Sequence, residues 1–373
     1  MAVGIICEYN PFHNGHVHHI NKVKEMFAGE PIVLVMSSTF LQRGEVSIIN
    51  KWDKTDIALN YVDLVVELPF AFSSQSADIF ASGAIQILAS LGVDKLVFGS
   101  ESNDVDFLYN IVKTQDTDNY NNLVKEYLNQ GINYPTAMSK ALETILGKTV
   151  SSANDLLGIS YIKCIYKNNY NITPYTILRT NGFHDIDSTS NIMSASGIRK
   201  LLKENKDISN YVPECSLNKI NNISLEDYYS LIKYKILSSK DLSIYQTVDE
   251  GFDKCLKDNI MISNSIEELI NNVKTKRYTY NRINRMLVHI LCDFTKSEAN
   301  NLKTIKYIRI LGFNEIGKKY LNSIKKDISV PLITGYSDIK SNMLDLEYRV
   351  TSIYSLKDNK VLELECRNKP IIK

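Results

Sequence analysis

CEYNPFHNGHVHHI, residues 7–20, decides how this chain is read. The protein holds six histidines in 373 residues, and four of them, His13, His16, His18 and His19, fall inside this stretch. It follows the apolar run VGIIC (3–7) and leads into a helical pattern at 15–28, so it is the turn from a first strand into a first helix. A helix N-terminus offers unpaired N–H groups and partial positive charge, which suit a phosphate. Gly15 has no side chain, so a phosphate or a base can approach the backbone closely there. His13 and His16 flank it and can donate to phosphoryl oxygens as charge develops at phosphorus. A zinc pair or plain surface histidines are the competing readings. Zinc would want a further Cys, His or carboxylate cluster, and the neighbouring sequence has none.

Outward from this turn, the first half alternates. PIVLVM (31–36), DLVVEL (63–68), KLVFG (95–99) and PYTILRT (174–180) are further short apolar runs, separated by helical patterns at 51–61, 77–91 and from about 154. Continuous apolar strands between amphipathic helices predict a parallel sheet covered on both faces. Residues 1–205 are therefore expected to form a doubly wound, Rossmann-like α/β domain whose ligand lies beyond the carboxyl ends of the strands. Residues 206–373 read as mainly helical, with DYYSLIKYKIL (227–237), SIEELINNVK (265–274) and TYNRINRMLVHILCDF (279–294). Short apolar runs, TIKYIRIL (304–311) and ISVPLIT (328–334), precede a last helix near 341–356. The polar segment around Pro213 marks the boundary.

Composition narrows the class. With 44% hydrophobic and 23% charged residues, the chain can bury a sizeable core. No apolar run approaches the roughly 18–20 residues of a membrane helix. MAVGIICEYN lacks the basic start and cleavage site of a signal peptide. Cys7, Cys164, Cys215, Cys255, Cys292 and Cys366 lie far apart with no CxxC, which reads as free thiols in a reducing cytoplasm and no structural metal. The net charge of +1 hides an asymmetry: residues 1–200 hold 15 Lys/Arg against 20 Asp/Glu, and residues 201–373 hold 28 against 22. Within 271–326 there are 13 basic and 3 acidic residues. That stretch is either a solvated helical face or a surface for a polyanion. Lys274, Lys276, Arg277, Arg282 and Arg285, with Tyr278 and Tyr280 between them, would suit an RNA backbone and a splayed base. Arg309, Lys318 and Lys319 extend the stretch, whereas His289, amid MLVHILC, reads as a core histidine.

Other residues fall at the same sheet edge. Gly99 ends a strand in VFGSE and is either a turn glycine or a flat approach for adenosine. Asn154 opens a helix, a position that capping alone would explain. Arg179 ends the run 174–180 and is either a surface arginine or a nucleotide contact. Ser194-Ala195-Ser196-Gly197-Ile198-Arg199 is a serine-rich helix start that can hold phosphates, with Arg199 facing a leaving pyrophosphate; a plain Ser cap with a solvent-facing Arg is the alternative. Gln42, Arg43, Gly44, Glu45 and Lys51 could reach this edge, while Asp94 and Glu101 read as structural.

The whole string EYNPFHNGH (8–16) resembles the HxGH signature of the nucleotidyltransferases related to class I aminoacyl-tRNA synthetases, and more specifically the bacterial tRNA(Met) cytidine acetate ligases. TFLQRGEVSIINKWDKTDIAL (39–59), DLVVELPFAFSSQSADIFASGAI (63–85), DKLVFGSE (94–101), SSANDLLGISYIK (151–163), SASGIRKLL (194–202) and TKRYTYNRINRML (275–287) agree with it. The serine-rich segment lacks the lysine of the synthetases' second signature. The resemblance implies a HIGH-type nucleotidyltransferase fold and a two-step reaction: acetate and ATP give acetyl-adenylate, then the acetyl group passes to the wobble cytidine of elongator tRNA(Met), giving N(4)-acetylcytidine. It implies catalysis by His13, His16 and Arg199. It also implies an ATP site made by Cys7, Glu8, Tyr9, Asn10, Pro11, Phe12, His13, Asn14, Gly15, His16, Val17, His18, His19 and Ile20 with Gly99, Asn154, Arg179 and Ser196. A Mg²⁺ ion with the ATP phosphates is expected chemically, although no carboxylate pair for it is legible.

That chemistry is physically reasonable. A cytosine amine is a weak nucleophile and acetate a poor electrophile, so the carboxylate must first become a mixed anhydride. Positioning and charge stabilisation at the α-phosphorus supply most of such catalysis, and no covalent enzyme intermediate is needed. Two rivals stand beside this reading. One is a small-molecule adenylyltransferase acting on a phosphopantetheine or nicotinamide mononucleotide. The other is a non-catalytic RNA-binding module on an inherited nucleotidyltransferase fold.

Overall fold

The computed structural model describes residues 1–179, 191–367 and 369–373. Its sheet contains β1 (Val3–Cys7), β2 (Ile32–Ser37), β3 (Leu64–Leu68), β4 (Lys95–Ser100), β5 (Thr173–Leu178), β6 (Ile308–Phe313), β7 (Leu332–Ile333) and β8 (Ile371–Ile372). The order is β5-β4-β1-β2-β3-β6-β7, with β8 also paired to β6. β1 to β5 are mutually parallel, as the alternating first half predicts, and β6 runs antiparallel to β3. Thr180, the last residue of the expected fifth run, lies outside the described residues.

Side-chain alternation along the strands feeds two cores. Val33, Val35, Leu64, Val66 and Leu68 face one of them, which is covered by helices Ala77–Ser90, Ala153–Lys167, Tyr280–Leu291 and Asn342–Ser355. Val3, Ile5, Ile32, Leu34, Met36 and Val65 face the other, covered by helices Asn14–Met26 and Lys51–Ala58. Coverage of both faces is why β2 and β3 are apolar nearly throughout and buried at every position. Three helices between β4 and Ala153–Lys167, namely Val105–Gln115, Asp118–Asn129 and Tyr134–Leu146, add to the pattern expected from sequence.

β6 joins the sheet beside a buried cluster of charges. Lys51 and Arg309 are fully buried together with Glu67, Glu347 and Glu365. Lys51 Nζ lies 2.6 Å from Glu67 Oε1 and 2.9 Å from Glu365 Oε1. Arg309 pairs closely with Glu365 and lies 3.6 Å from Glu67. Lys51 therefore does not reach the ligand edge, and Arg309 does not belong to a basic surface. Both turn inward because buried carboxylates that share a core require cations beside them.

Candidate active site at the first strand-to-helix turn

The chain runs from β1 through β2 to β3 on one side, then returns to β4 and β5 on the other. The carboxyl end of β1 is thus the topological switch point, where open α/β sheets bind ligands. Residues 8–13 leave that end and helix Asn14–Met26 starts immediately. His13 is the N-cap: its Nδ1 accepts from the Gly15 N–H at 3.1 Å, and its own N–H donates to His16 Nδ1 at 3.2 Å. The two rings stack with centroids 3.8 Å apart. A side chain at Gly15 would put a Cβ 2.8 Å from His13 Cε1, so glycine is needed for the cap itself.

Both imidazoles use Nδ1 as an acceptor, so their proton sits on Nε2 and each keeps one N–H to donate. Burial, followed by the charges of Arg179 and Arg199, pushes His13 down to about 3. Burial, then His13, His19 and Arg179, holds His16 well below the usual imidazole range. Burial, with Arg179 and His18, brings His19 to about 4. At neutral pH the turn therefore presents neutral N–H donors. The Cys7 thiol is pushed up to about 12, above all by burial, which removes it as a thiolate nucleophile.

The serine-rich second motif comes to the same place. Ser194 Oγ caps helix Ala195–Lys203 by accepting from the Gly197 N–H at 3.2 Å, and it lies 3.1 Å from Ser196 Oγ. Arg199 donates from Nη1 to the Asn10 carbonyl at 2.7 Å and from Nη2 to Glu45 Oε1 at 2.8 Å. Asn14 donates to the carbonyls of Asn191 and Asn210, at 2.8 and 3.0 Å, and its N–H reaches Tyr211. The two motifs are thus one assembly. Across β4 and β5, a Cβ on Gly99 would lie 3.2 Å from Arg179 Cγ, so these residues are also adjacent.

A family model described as HIGH Nucleotidyl Transferase matches residues 1–368. The tRNA(Met) cytidine acetate ligases of Caldicellulosiruptor saccharolyticus and Clostridium acetobutylicum are each 39% identical over 99% of this chain and 98% of theirs. The chain belongs to the tRNA(Met) cytidine acetate ligase family of HIGH nucleotidyl transferases. The crystal structure of apo Thermotoga maritima TmcAL matches with a TM-score of 0.90 at 30% identity, covering 100% of this chain and 99% of that one. The same protein bound with alpha-thio ATP gives the same values.

The remaining residues of the turn and of the sheet edge divide by burial in this ligase-family chain. Tyr9, Phe12 and Ile20 enter the core beneath the turn, Pro11 is buried, Val17 is half-buried, and His18 is exposed. Glu8 accepts from the Gln42 N–H at 2.7 Å, and Asn10 Oδ1 from the Ile48 N–H at 2.9 Å. Asn154 is not the cap expected from sequence. Ser152 is, and Asn154 sits in the first turn, donating to Glu101. Asp155, which carries no motif in sequence, accepts from Ser100, Ser152 and the N–H groups of Glu101 and Ser102. Burial would raise its pKa, but the hydrogen bonds from Ser100, Ser152 and Ser102 outweigh that and hold it below the usual carboxylate range. Lys54 is a second residue that sequence reasoning misses. Fully buried, it donates to the carbonyls of Glu8, Ser37 and Ser38 at 3.0, 2.6 and 2.9 Å, tying the ends of β1 and β2 together. Burial, offset in part by Glu8, lowers it to about 7.

The basic stretch 271–326 of this chain is less uniform than its sequence. Lys274, Lys276 and Arg277 are exposed between helices Ile266–Val273 and Tyr280–Leu291. Arg277 pairs with Glu250. Arg282 lies 3.7 Å from Asp249 and 4.2 Å over the ring of Tyr278. Arg285 turns back to donate to the Gln42 carbonyl at 3.1 Å. Tyr278 is buried and stacked on Phe252 at 4.1 Å, so it cannot receive a base; Tyr280, 45% exposed, can. His289 is buried in the core, as its apolar surroundings imply, with Nε2 2.7 Å from the Ser74 carbonyl. Among the described residues no helix is long and apolar enough to cross a membrane, and no group of three His, Cys, Asp or Glu could hold a metal.

Proposed function

We propose that this protein is an ATP-dependent ligase that acetylates the wobble cytidine of elongator tRNA(Met) by way of acetyl-adenylate. The observation that carries this reading is the union of the two motifs. His13 and His16 place neutral Nε2–H donors at a helix N-terminus, and Arg199, bonded to Asn10 of the same turn, adds a guanidinium. Such donors serve an α-phosphorus on which charge develops as an acetate oxygen attacks and the bond to pyrophosphate breaks. In the second step the cytidine N4 attacks the acyl carbon, AMP leaves, and the amine gives up a proton. The turn Cys7–Ile20, carried on the buried Tyr9, Phe12 and Ile20, would hold ATP together with Gly99, Asn154, Arg179 and Ser196.

Three carboxylates at this edge are engaged with protein donors: Glu8 by Gln42, Glu45 by Arg199, and Glu101 by Asn154. A Mg²⁺ ion bound here would be carried by the nucleotide phosphates, and no step is routed through it. Residues 1–205 would supply activation and residues 206–373 the tRNA surface. The small-molecule adenylyltransferase reading leaves the exposed Lys274, Lys276 and Arg277 without a task.

Filter binding of tRNA at several salt concentrations tests the surface. Replacing Lys274, Lys276 and Arg277 together by Ala is expected to weaken binding and to flatten the log–log salt slope by roughly 0.7–0.9 for each phosphate no longer neutralised. An unchanged slope would return this stretch to a solvated face. Pyrophosphate exchange into ATP that depends on acetate, and not on phosphopantetheine or nicotinamide mononucleotide, decides between ligase and small-molecule transferase.

A further inference from the structure

The connection between β2 and helix Lys51–Ala58 touches both halves of the proposed machinery. Gly44 has φ +72°, and a Cβ there would lie 2.3 Å from the Arg285 nitrogen and 2.4 Å from the Asn284 carbonyl carbon. The loop backbone therefore lies directly on helix Tyr280–Leu291, in a conformation and at a distance that only glycine accepts. Arg285 fastens the contact through the Gln42 carbonyl. From its other side, the same loop holds the nucleotide edge. The Gln42 N–H donates to Glu8, and the two Glu45 oxygens take Arg199 at 2.8 Å and Asn10 Nδ2 at 3.5 Å.

The loop is built to transmit position. The Leu41 N–H reaches the Glu45 carbonyl at 3.0 Å, the Gly44 N–H reaches Leu41 at 2.8 Å, and the Ser47 N–H reaches Thr39 at 2.9 Å. Phe40 and Val46 form an antiparallel bridge across it. Tyr280 stands exposed at the start of the contacting helix.

We propose that the Gln42–Glu45 loop is a positioning element through which helix Tyr280–Leu291 sets the Arg199 guanidinium, so that tRNA engagement and acetate activation are coupled. This rests on the reading above, which gives Arg199 to the leaving pyrophosphate and the helix region to tRNA. Glu45 and Arg285 are positioning residues and need touch no substrate. Coupling of this kind requires a contiguous element that both sites bias, and this loop is one.

Two measurements on the full chain test it. In acetate-dependent ATP–pyrophosphate exchange, Glu45→Gln and Arg285→Ala should each lower kcat by about fivefold to tenfold and leave the KM for ATP within about twofold. The double variant should lose no more than the worse single variant. Arg285→Lys, which keeps a donor for Gln42, should recover most of kcat, so a folding failure of the Ala variant does not decide the matter. In amide hydrogen exchange, added tRNA should slow the Leu41 and Gly44 amides of the parent and leave them unchanged in Arg285→Ala. Parental kcat in Arg285→Ala, losses that multiply in the double variant, or loop amides indifferent to tRNA in the parent would each overturn the proposal. A parent without acetate-dependent exchange would instead overturn the functional reading, while the amide measurement would still decide whether the loop couples the two sites.

Discussion

His16→Ala is expected to lower acetate-dependent ATP–pyrophosphate exchange by about 10²–10³-fold, the usual cost of removing one charge-stabilising donor. Its Nε2–H is one of two neutral donors at the helix N-terminus, and its ring also stacks on His13 and takes the His13 N–H. The substitution therefore removes a donor and loosens the cap that aims the other. tRNA affinity should change little, because the basic residues lie on other elements. With His13 held at about 3 and His16 also far below its ordinary range, exchange by the parent should show no titration of His13 or His16 between about pH 5 and 8. Single-turnover exchange by a folded His16→Ala protein is the check, and a rate near the parental one would remove His16 from the chemistry.

The part of the fold that carries this turn is legible because its signals are local. Five apolar runs with helices between them specify parallel strands buried on both faces, and a strand running into a Gly-containing helix start specifies the turn. What stays hidden depends on partners far away in sequence. TIKYIRIL reads only as a short apolar run in a mainly helical region, and its antiparallel place beside β3 goes with the burial of Arg309 against Glu67 and Glu365. Arg277, Arg282 and Arg285 look equivalent in sequence, yet one is exposed beside Glu250, one stacks on Tyr278, and one faces back to Gln42. Lys54 looks like any helix lysine, and only the convergence of three strand-end carbonyls shows what it does. Asn154 resembles a cap because it stands just two residues beyond the true one, Ser152.

Arg199→Ala should reduce acetyl-adenylate formation by about tenfold to a hundredfold with a smaller change in ATP affinity, since its contact strengthens as pyrophosphate departs. In the free protein its two nitrogens are held by Asn10 and Glu45, so the guanidinium is oriented before the nucleotide arrives. Arg199→Lys keeps the charge but loses the fork that spans those two acceptors, and should recover only part of the rate. Rates at saturating ATP, set beside nucleotide affinity measured by equilibrium titration, separate the two effects. A loss confined to affinity would make Arg199 a uniform binding residue.

One turn, completed by the serine-rich motif, is proposed to activate acetate for transfer to a tRNA base. Nucleoside analysis of tRNA after incubation with the protein, ATP and isotopically labelled acetate tests it most directly. Labelled N(4)-acetylcytidine is expected in elongator tRNA(Met), formed only with ATP present and matched by equimolar AMP and pyrophosphate. Unmodified cytidine alongside adenylyl transfer to a small phosphorylated acceptor would contradict it.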